Sequence, residues 1–309
     1  MAEMLYARDV YGKTLVELGK LGKDIVVCDA DLSGSTRTSL FAKEFPSRFF
    51  NFGVAEQNMM ACSAGLASCG KVVFASTFAM FASGRAWDQV RNSICYSDLN
   101  VKIVATHAGI TVGPDGASHQ ALEDIAILRA IPNIKIVVPS DGPETREAIF
   151  AAYETPGPFY VRLGRSKVPT IEGKAPFKLG KGYVLRQGSD VTIIACGLMV
   201  HEALSAWEQL KKENISAAVI NIHTVKPIDE ELIIDAARRT RGLVVCEEHS
   251  VIGGLASSVA EILSEKHPAK ILKVGVRNRF GQSGEEKDLL REYQLTSGDI
   301  VARAKSLIL

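Results

Sequence analysis

The sequence predicts an α/β protein made of two doubly wound domains, each built on a mostly parallel sheet. Three observations lead there. Short β-branched runs alternate with amphipathic stretches along most of the 309 residues. Most of those runs are apolar without alternation, as strands covered on both faces must be. The alternation breaks once, at a stretch rich in glycine and proline, and then restarts.

In the first half, strands are expected over 25–28, 72–75, 101–105, 135–138 and 159–163. Helices fill the gaps over 10–21, 55–68, 78–96, 121–130 and 144–153. Pro143 stands just ahead of the last of these, where its missing N–H costs nothing. From 167 to 188 the chain holds Pro169, Gly173, Pro176, Gly180, Gly182 and Gly188 and few long apolar runs, with a short strand at 183–185. The expected division is therefore a domain over 1–165, a linker over 166–188 and a second domain over 189–309. In the second domain, strands are expected over 191–195, 217–221, 243–246 and 271–274. The helices are expected over 200–211, 229–239, 254–264 and 296–309. Pro227-Ile-Asp-Glu-Glu places acids in a first helical turn, at the positive end of the helix dipole.

Composition narrows the function classes. Lys plus Arg total 36 and Asp plus Glu 35, a net charge of +1, so no chain-wide field favours nucleic acid or an anionic membrane. A hydrophobic fraction of 47% excludes a disordered chain. The six cysteines form no Cys-x-x-Cys or Cys-x-x-His pair, which excludes the usual zinc and dithiol motifs. Most sit in apolar runs and read as buried free thiols of a reducing compartment. No stretch approaches the roughly 18 apolar residues of a membrane span, and the first ten residues lack a cationic leader, so the cytoplasm is the expected location.

Ligands of open parallel sheets sit beyond the C-terminal ends of strands. Several unusual segments follow expected strands. Asp29-Ala-Asp31-Leu32-Ser33-Gly34-Ser35 joins acids and hydroxyls, as a polar ligand site or a helix-capping loop would. Glu56 opens a helix rich in Ala, Ser, Gly and Cys, where an acid serves as a cap or as a functional carboxylate. Phe78 and Phe81 share a helical face, as core residues or as a wall for a flat ring. His107 and His119 lie in a glycine-rich loop with Asp115, which suits the handling of hydroxyls and carbonyls. Arg162 and Arg165 flank the end of a strand, and arginine forks suit phosphate. The sequence has no Gly-x-x-x-x-Gly-Lys-Ser/Thr loop, and no Gly-Asp-Gly followed some 25–30 residues later by asparagine.

Together these segments resemble the C-terminal half of transketolase. Asp29-Ala-Asp-Leu-Ser, Asn51-Phe-Gly-Val-Ala-Glu-Gln-Asn, Ser76-Thr-Phe-Ala-Met-Phe, Thr106-His with Gly116-Ala-Ser-His-Gln, and Arg279-Phe-Gly-Gln-Ser-Gly occur in that family's order. The resemblance implies a pyrimidine-binding domain followed by the transketolase C-terminal domain. It also implies thiamine diphosphate as cofactor, with Mg²⁺ bound mainly by a partner subunit that carries the diphosphate-binding domain. No metal ligand is assigned to this chain. An α₂β₂ assembly and sugar phosphate substrates are implied as well. Residue by residue, Glu56 resembles the glutamate that bonds a ring nitrogen of the aminopyrimidine. Phe78 and Phe81 resemble its aromatic platform, and Asp31 and Leu32 further cofactor contacts. His107 and His119 resemble the histidines that bind ketose hydroxyls and move protons, and Asp115 the residue that reads a donor hydroxyl. Arg8, Ser35 and Arg165 match positions that hold a sugar phosphate. One departure is Gly84, where some members carry a tyrosine; Arg85 follows it at the pocket edge. The pyrimidine half of 1-deoxyxylulose-5-phosphate synthase and the beta subunit of a 2-oxoacid dehydrogenase are the nearest alternatives. His107 within Ala-Thr-His favours transketolase, because sugar hydroxyls need the extra donor. A non-catalytic assembly subunit would have no chemical reason to keep Glu56, both histidines and Asp115.

Overall fold

A computed structural model describes residues 3–308 of the chain. The first half forms β1 (Met4–Tyr6), β2 (Ile25–Asp29), β3 (Phe49–Asn51), β4 (Val72–Phe78), β5 (Val101–Ala108), β6 (Lys135–Val137), β7 (Phe159–Gly164) and β8 (Lys167–Pro169). The second half adds β9 (Tyr183–Arg186), β10 (Val191–Ala195), β11 (Ala217–Asn221), β12 (Thr224–Lys226), β13 (Leu243–Ser250) and β14 (Ile271–Val276). The larger sheet has the order β12-β6-β7-β5-β4-β2-β3 and is parallel except at β12. The smaller sheet has the order β14-β13-β10-β11-β9 and is parallel except at β9.

The unbroken apolar runs work because successive side chains feed two different cores. Ile25 and Val27 of β2 point to one face, where Tyr11, Leu15 and Leu18 of helix Ala7–Leu21 and Ile149 of helix Gly142–Glu154 cover them. Val26 and Cys28 point to the other, against Met59, Met60 and Ala64 of helix Glu56–Ser68. That second core continues into the smaller sheet through Ile194, Ile220 and Val245. Helix Gly142–Glu154 begins two residues before the expected start, so Pro143 falls in its first turn, and Asp141 caps it by accepting from the Glu144 N–H at 2.8 Å.

Several expectations are corrected. The strand expected over 72–75 runs on to Phe78, whose backbone lies beside Thr106 in the ladder. The helix expected from 78 is replaced by π-helical turns over Phe81–Arg85 and Gln89–Cys95. Ser83 Oγ bonds the Ala79 carbonyl at 2.7 Å, and Gly84 adds a poor helix former, so the regular ladder is disfavoured there. The helix expected over 121–130 is confined to Asp124–Arg129, because Ala121 bridges to Ala108 of β5. The segment expected to open the linker holds β8, which pairs antiparallel with β1. β12, in the second half, adds to the edge of the larger sheet. Cys62 and Cys69 lie exposed, unlike the four buried thiols, because Cys62 falls on the outward side of helix Glu56–Ser68 and Cys69 at its C-terminal cap.

Candidate active site

β2, β3, β4, β5 and β7 are parallel, so their C-terminal ends open on one edge of the larger sheet. Asp31 and Leu32 follow β2, Glu56 follows β3, Phe78 ends β4, His107 lies near the end of β5 and Arg165 follows β7. Topology thus gathers residues that are far apart in sequence.

The Glu56 side chain is 1% exposed, in the first turn of its helix. Arg85 Nη1 donates to both of its carboxylate oxygens, at 2.9 and 3.0 Å. The same guanidinium lies 4.5 Å from the centroid of the Phe81 ring. Phe78 and Phe81 are stacked, with centroids 6.1 Å apart and planes at 15°. Phe78 thus reaches the aromatic pair from a strand end, not from a shared helix face.

Both histidines join this pair. His107 stacks on Phe78 at 3.9 Å, and His119 meets Phe81 edge-on at 5.3 Å. His107 has φ of +57°, a left-handed conformation that a non-glycine residue adopts only under local constraint. Arg8 Nη1 donates to His107 Nε2 at 3.2 Å, which leaves Nδ1 to carry the proton and donate to Thr106 Oγ1 at 2.8 Å. Burial, then the positive Arg8 and Arg165 and then His119, push the His107 pKa down to about 3. His107 is therefore a neutral imidazole at physiological pH.

Arg8, bonded to His107, also lines a groove of about 730 Å³, together with Arg165, Lys167, Lys287, Arg291, the 111–114 turn and the carboxylates of Glu285, Glu286 and Asp288. Burial first, then the neighbouring Arg37 and Arg165, lower the Arg8 pKa below the ordinary arginine value. Its Nε is buried and has no hydrogen-bond partner among the described residues. Five cations outnumber three carboxylates there, and with an unsatisfied buried donor on Arg8 the Arg8–Arg165 side suits an anion. Arg165 donates to the Val112 carbonyl and stands 3.9 Å from the Asp115 carboxylate. Asp115 is exposed, beside the groove. Ser35 and Asp31 do not line this groove. Ser35 is half-buried in the short helix Ser33–Thr36. Asp31, exposed and with φ of +64°, is held by Asn51, whose Oδ1 accepts from the Asp31 N–H at 3.0 Å. Leu32 is half-buried, its N–H bound to Asp29 Oδ1 at 2.7 Å.

Arg162 is corrected: it is not a phosphate candidate. It is buried, donates to Asp124 at 2.8 and 3.2 Å and to the Glu248 carbonyl at 3.0 Å. It lies within β7, whose faces are both covered, whereas Arg165 lies past the strand end. Sequence reasoning missed the Arg85–Glu56 pair and Glu248. Glu248 is fully buried, and burial pushes its carboxyl up to about 7 against the opposing pull of Arg162 and Thr111. The acidic pair Glu247-Glu248 inside an apolar strand was the available signal, since buried acids need partners.

Two family models match the chain. The transketolase pyrimidine binding domain matches residues 3–170, and the transketolase C-terminal domain matches residues 180–300. The chain belongs to the transketolase family. A protein of Methanocaldococcus jannaschii described as a transketolase C-terminal section is 53% identical over 301 residues, covering 96% of this chain and 94% of that protein. A 6-deoxy-6-sulfo-D-fructose transketolase subunit of Clostridium sp. is 42% identical, covering 97% of this chain and 93% of its own. Among solved structures, a split gene transketolase described as an inactive beta4 tetramer superposes with a TM-score of 0.91 at 52% identity, covering 98% of each chain. This transketolase chain is thus one subunit of a split, ketol-transferring enzyme, similar to these relatives over nearly their whole length.

Proposed function

We propose that this chain is the pyrimidine-binding subunit of a thiamine diphosphate-dependent transketolase that, with a partner subunit, moves a two-carbon ketol unit from a ketose phosphate to an aldose phosphate. One observation supports this most. A buried carboxylate, Glu56, sits beside stacked aromatics that carry two histidines, and Arg8 links this cluster to an arginine-lined groove.

The residues present fit the cofactor's ring. Glu56 would hold the aminopyrimidine through a ring nitrogen, with the Phe78–Phe81 pair beside it and Asp31 and Leu32 reaching it from the neighbouring strand end. A carboxylate only accepts and has about four acceptor sites, so Glu56, while bonded to Arg85, would also accept from a ring nitrogen that carries a proton, which favours the imino form of the aminopyrimidine. When bound, thiamine diphosphate supplies the carbanion stabilisation that ketol transfer needs. Held neutral, His107 adds no charge to the site; its Nδ1–H stays with Thr106, and Nε2 would accept from a ketose hydroxyl in place of Arg8 when that guanidinium turns to the phosphate. His119, half-buried against Phe81, moves protons at the reacting hydroxyl. Asp115 reads a donor hydroxyl, while Arg8 and Arg165 hold the phosphate in the groove with charge-assisted bonds; Ser35, set outside that groove in the short helix Ser33–Thr36, would meet the phosphate from the β2 side.

The partner subunit carries the diphosphate-binding domain and most of the Mg²⁺ contacts, in an α₂β₂ assembly. The inactivity recorded for the related beta4 tetramer supports a site completed by another polypeptide. The chain's own two domains are taken as 1–165 and 189–309, with β9 from the linker added to the smaller sheet and β12 crossing to the edge of the larger one. Six free cysteines fit the cytoplasm, and no helix among the described residues is long and apolar enough to cross a membrane. The sugars of pentose phosphate metabolism are the substrate class.

Mixed with thiamine diphosphate and Mg²⁺, the chain alone should give no ketol transfer, and adding the partner should restore it. Full activity from the single chain would sink the split reading. In the complex, Glu56→Ala should slow exchange of the cofactor's C2 proton by about 10²–10⁴-fold; near-parental exchange removes Glu56 from the site.

A further inference from the structure

The loop that carries the histidines is held from behind by the second half of the chain. It leaves β5 at Ala108 and turns through Gly109, whose φ is +88° and whose N–H donates to the Ala121 carbonyl at 3.0 Å. Glu248 of β13 reaches this turn from the smaller sheet. Its Oε1 accepts from the Thr111 N–H at 2.7 Å and from Thr111 Oγ1 at 2.7 Å. A Cβ on Gly109 would stand 2.3 Å from that same oxygen, so the approach requires glycine on steric as well as conformational grounds. Glu248 is itself pinned. Its carbonyl accepts from Arg162 Nη2 at 3.0 Å, and Arg162 is forked onto Asp124, which also takes the Tyr160 hydroxyl at 2.6 Å. Gln120 closes the loop from the other end, donating to the Ile110 carbonyl at 3.0 Å. The seat is thus a rigid buried frame, and Thr111 is the point where the frame grips the loop between His107 and His119.

We propose that Glu248 is a positioning residue for ketol transfer, a carboxylate of the C-terminal domain that clamps Thr111 and so sets the span between the two histidines. Glu248 touches no reacting group itself; it acts through the Thr111 backbone. The clamp matters to catalysis only if His107 and His119 handle substrate, as proposed above. Through it, the C-terminal domain holds the histidine loop in place.

Two readouts test the clamp, the first independent of activity. In the isolated full chain, Glu248→Ala should speed amide hydrogen exchange across 109–116 at least tenfold, with β2 and β10 unchanged. Glu248→Gln keeps one oxygen able to accept both bonds, and exchange there should match the parent to within about 1.5-fold. Unchanged exchange in Glu248→Ala overturns the clamp. In the reconstituted complex, Glu248→Ala should lower kcat by about 10–100-fold, the scale of a small misplacement of reacting groups. KM for the ketose should move less than threefold, and Glu248→Gln should recover most of kcat. A parental kcat in Glu248→Ala, or a Gln variant as slow as the Ala variant, overturns the positioning role. Should Glu248→Ala fail to fold, Thr111→Val decides, because it removes only the hydroxyl bond: exchange across 109–116 should rise about threefold, and parental exchange overturns the clamp. A complex with no ketol transfer even in the parent refutes the proposed function, and the exchange data then judge the clamp alone.

Discussion

His107 should make the folded chain acid-sensitive in a calculable way. Its imidazole is 3% exposed, stacked on Phe78 and faced by Arg8 and Arg165, and its pKa falls from the ordinary 6.5 to about 3. The unfolded chain therefore binds a proton in the range where the folded chain does not. Stability from this group is complete above the unfolded value near 6.5 and is lost as the pH falls towards the folded value. Between pH 7 and pH 5, with folded protonation still negligible, the loss amounts to about 2 kcal/mol, from about 1.4 kcal/mol per unit. Urea unfolding of the parent and of His107→Asn at both pH values isolates this share, because every other titrating group is common to the two proteins. The parent should lose about 2 kcal/mol more than the variant over that interval. Equal losses, or a larger loss in the variant, would refute the assignment of a neutral buried imidazole. The same reasoning holds the His107 ring resonances unshifted down to about pH 4 in a magnetic resonance titration.

Two further outcomes follow from named contacts. Arg165→Ala removes one guanidinium from the groove, so KM should rise about 10–100-fold for phosphorylated sugars, the scale of one charge-assisted bond, and little for unphosphorylated ones; equal changes end its phosphate role. Arg162→Met leaves the buried Asp124 carboxylate with the Tyr160 hydroxyl as its one side-chain hydrogen bond among the described residues and His249 Nε2 at 3.9 Å, at a cost of about 3–5 kcal/mol in urea unfolding. Arg162→Met combined with Asp124→Leu should recover much of that loss, and strict additivity of the two would argue against a coupled pair.

The alternation of covered strands and amphipathic helices was legible because burial on both faces demands continuous apolar runs, and those runs lie in the sequence as contiguous residues. The candidate site was legible in part. Glu56, His107 and His119 each sit at or past a strand end, where a parallel sheet must present its ligand-facing side chains. What failed to show was pairing across distance. Phe78 read as helical because its spacing to Phe81 fits a helix, yet its ladder with β5 keeps it extended. Arg162 and Arg165 looked alike in sequence, and only their depth in the sheet separates a buried structural guanidinium from one that lines a groove. Arg85 meets Glu56 across 29 residues, and Glu248 meets Thr111 across 137. By itself, then, the sequence determined the order of elements, the chemistry placed at the strand ends and the family to which the chain belongs. The tertiary structure alone decided which charges meet and which imidazole stays neutral. Propensity and patterning act within a few residues, whereas ion pairing and desolvation depend on distances that exist only once the chain has closed on itself.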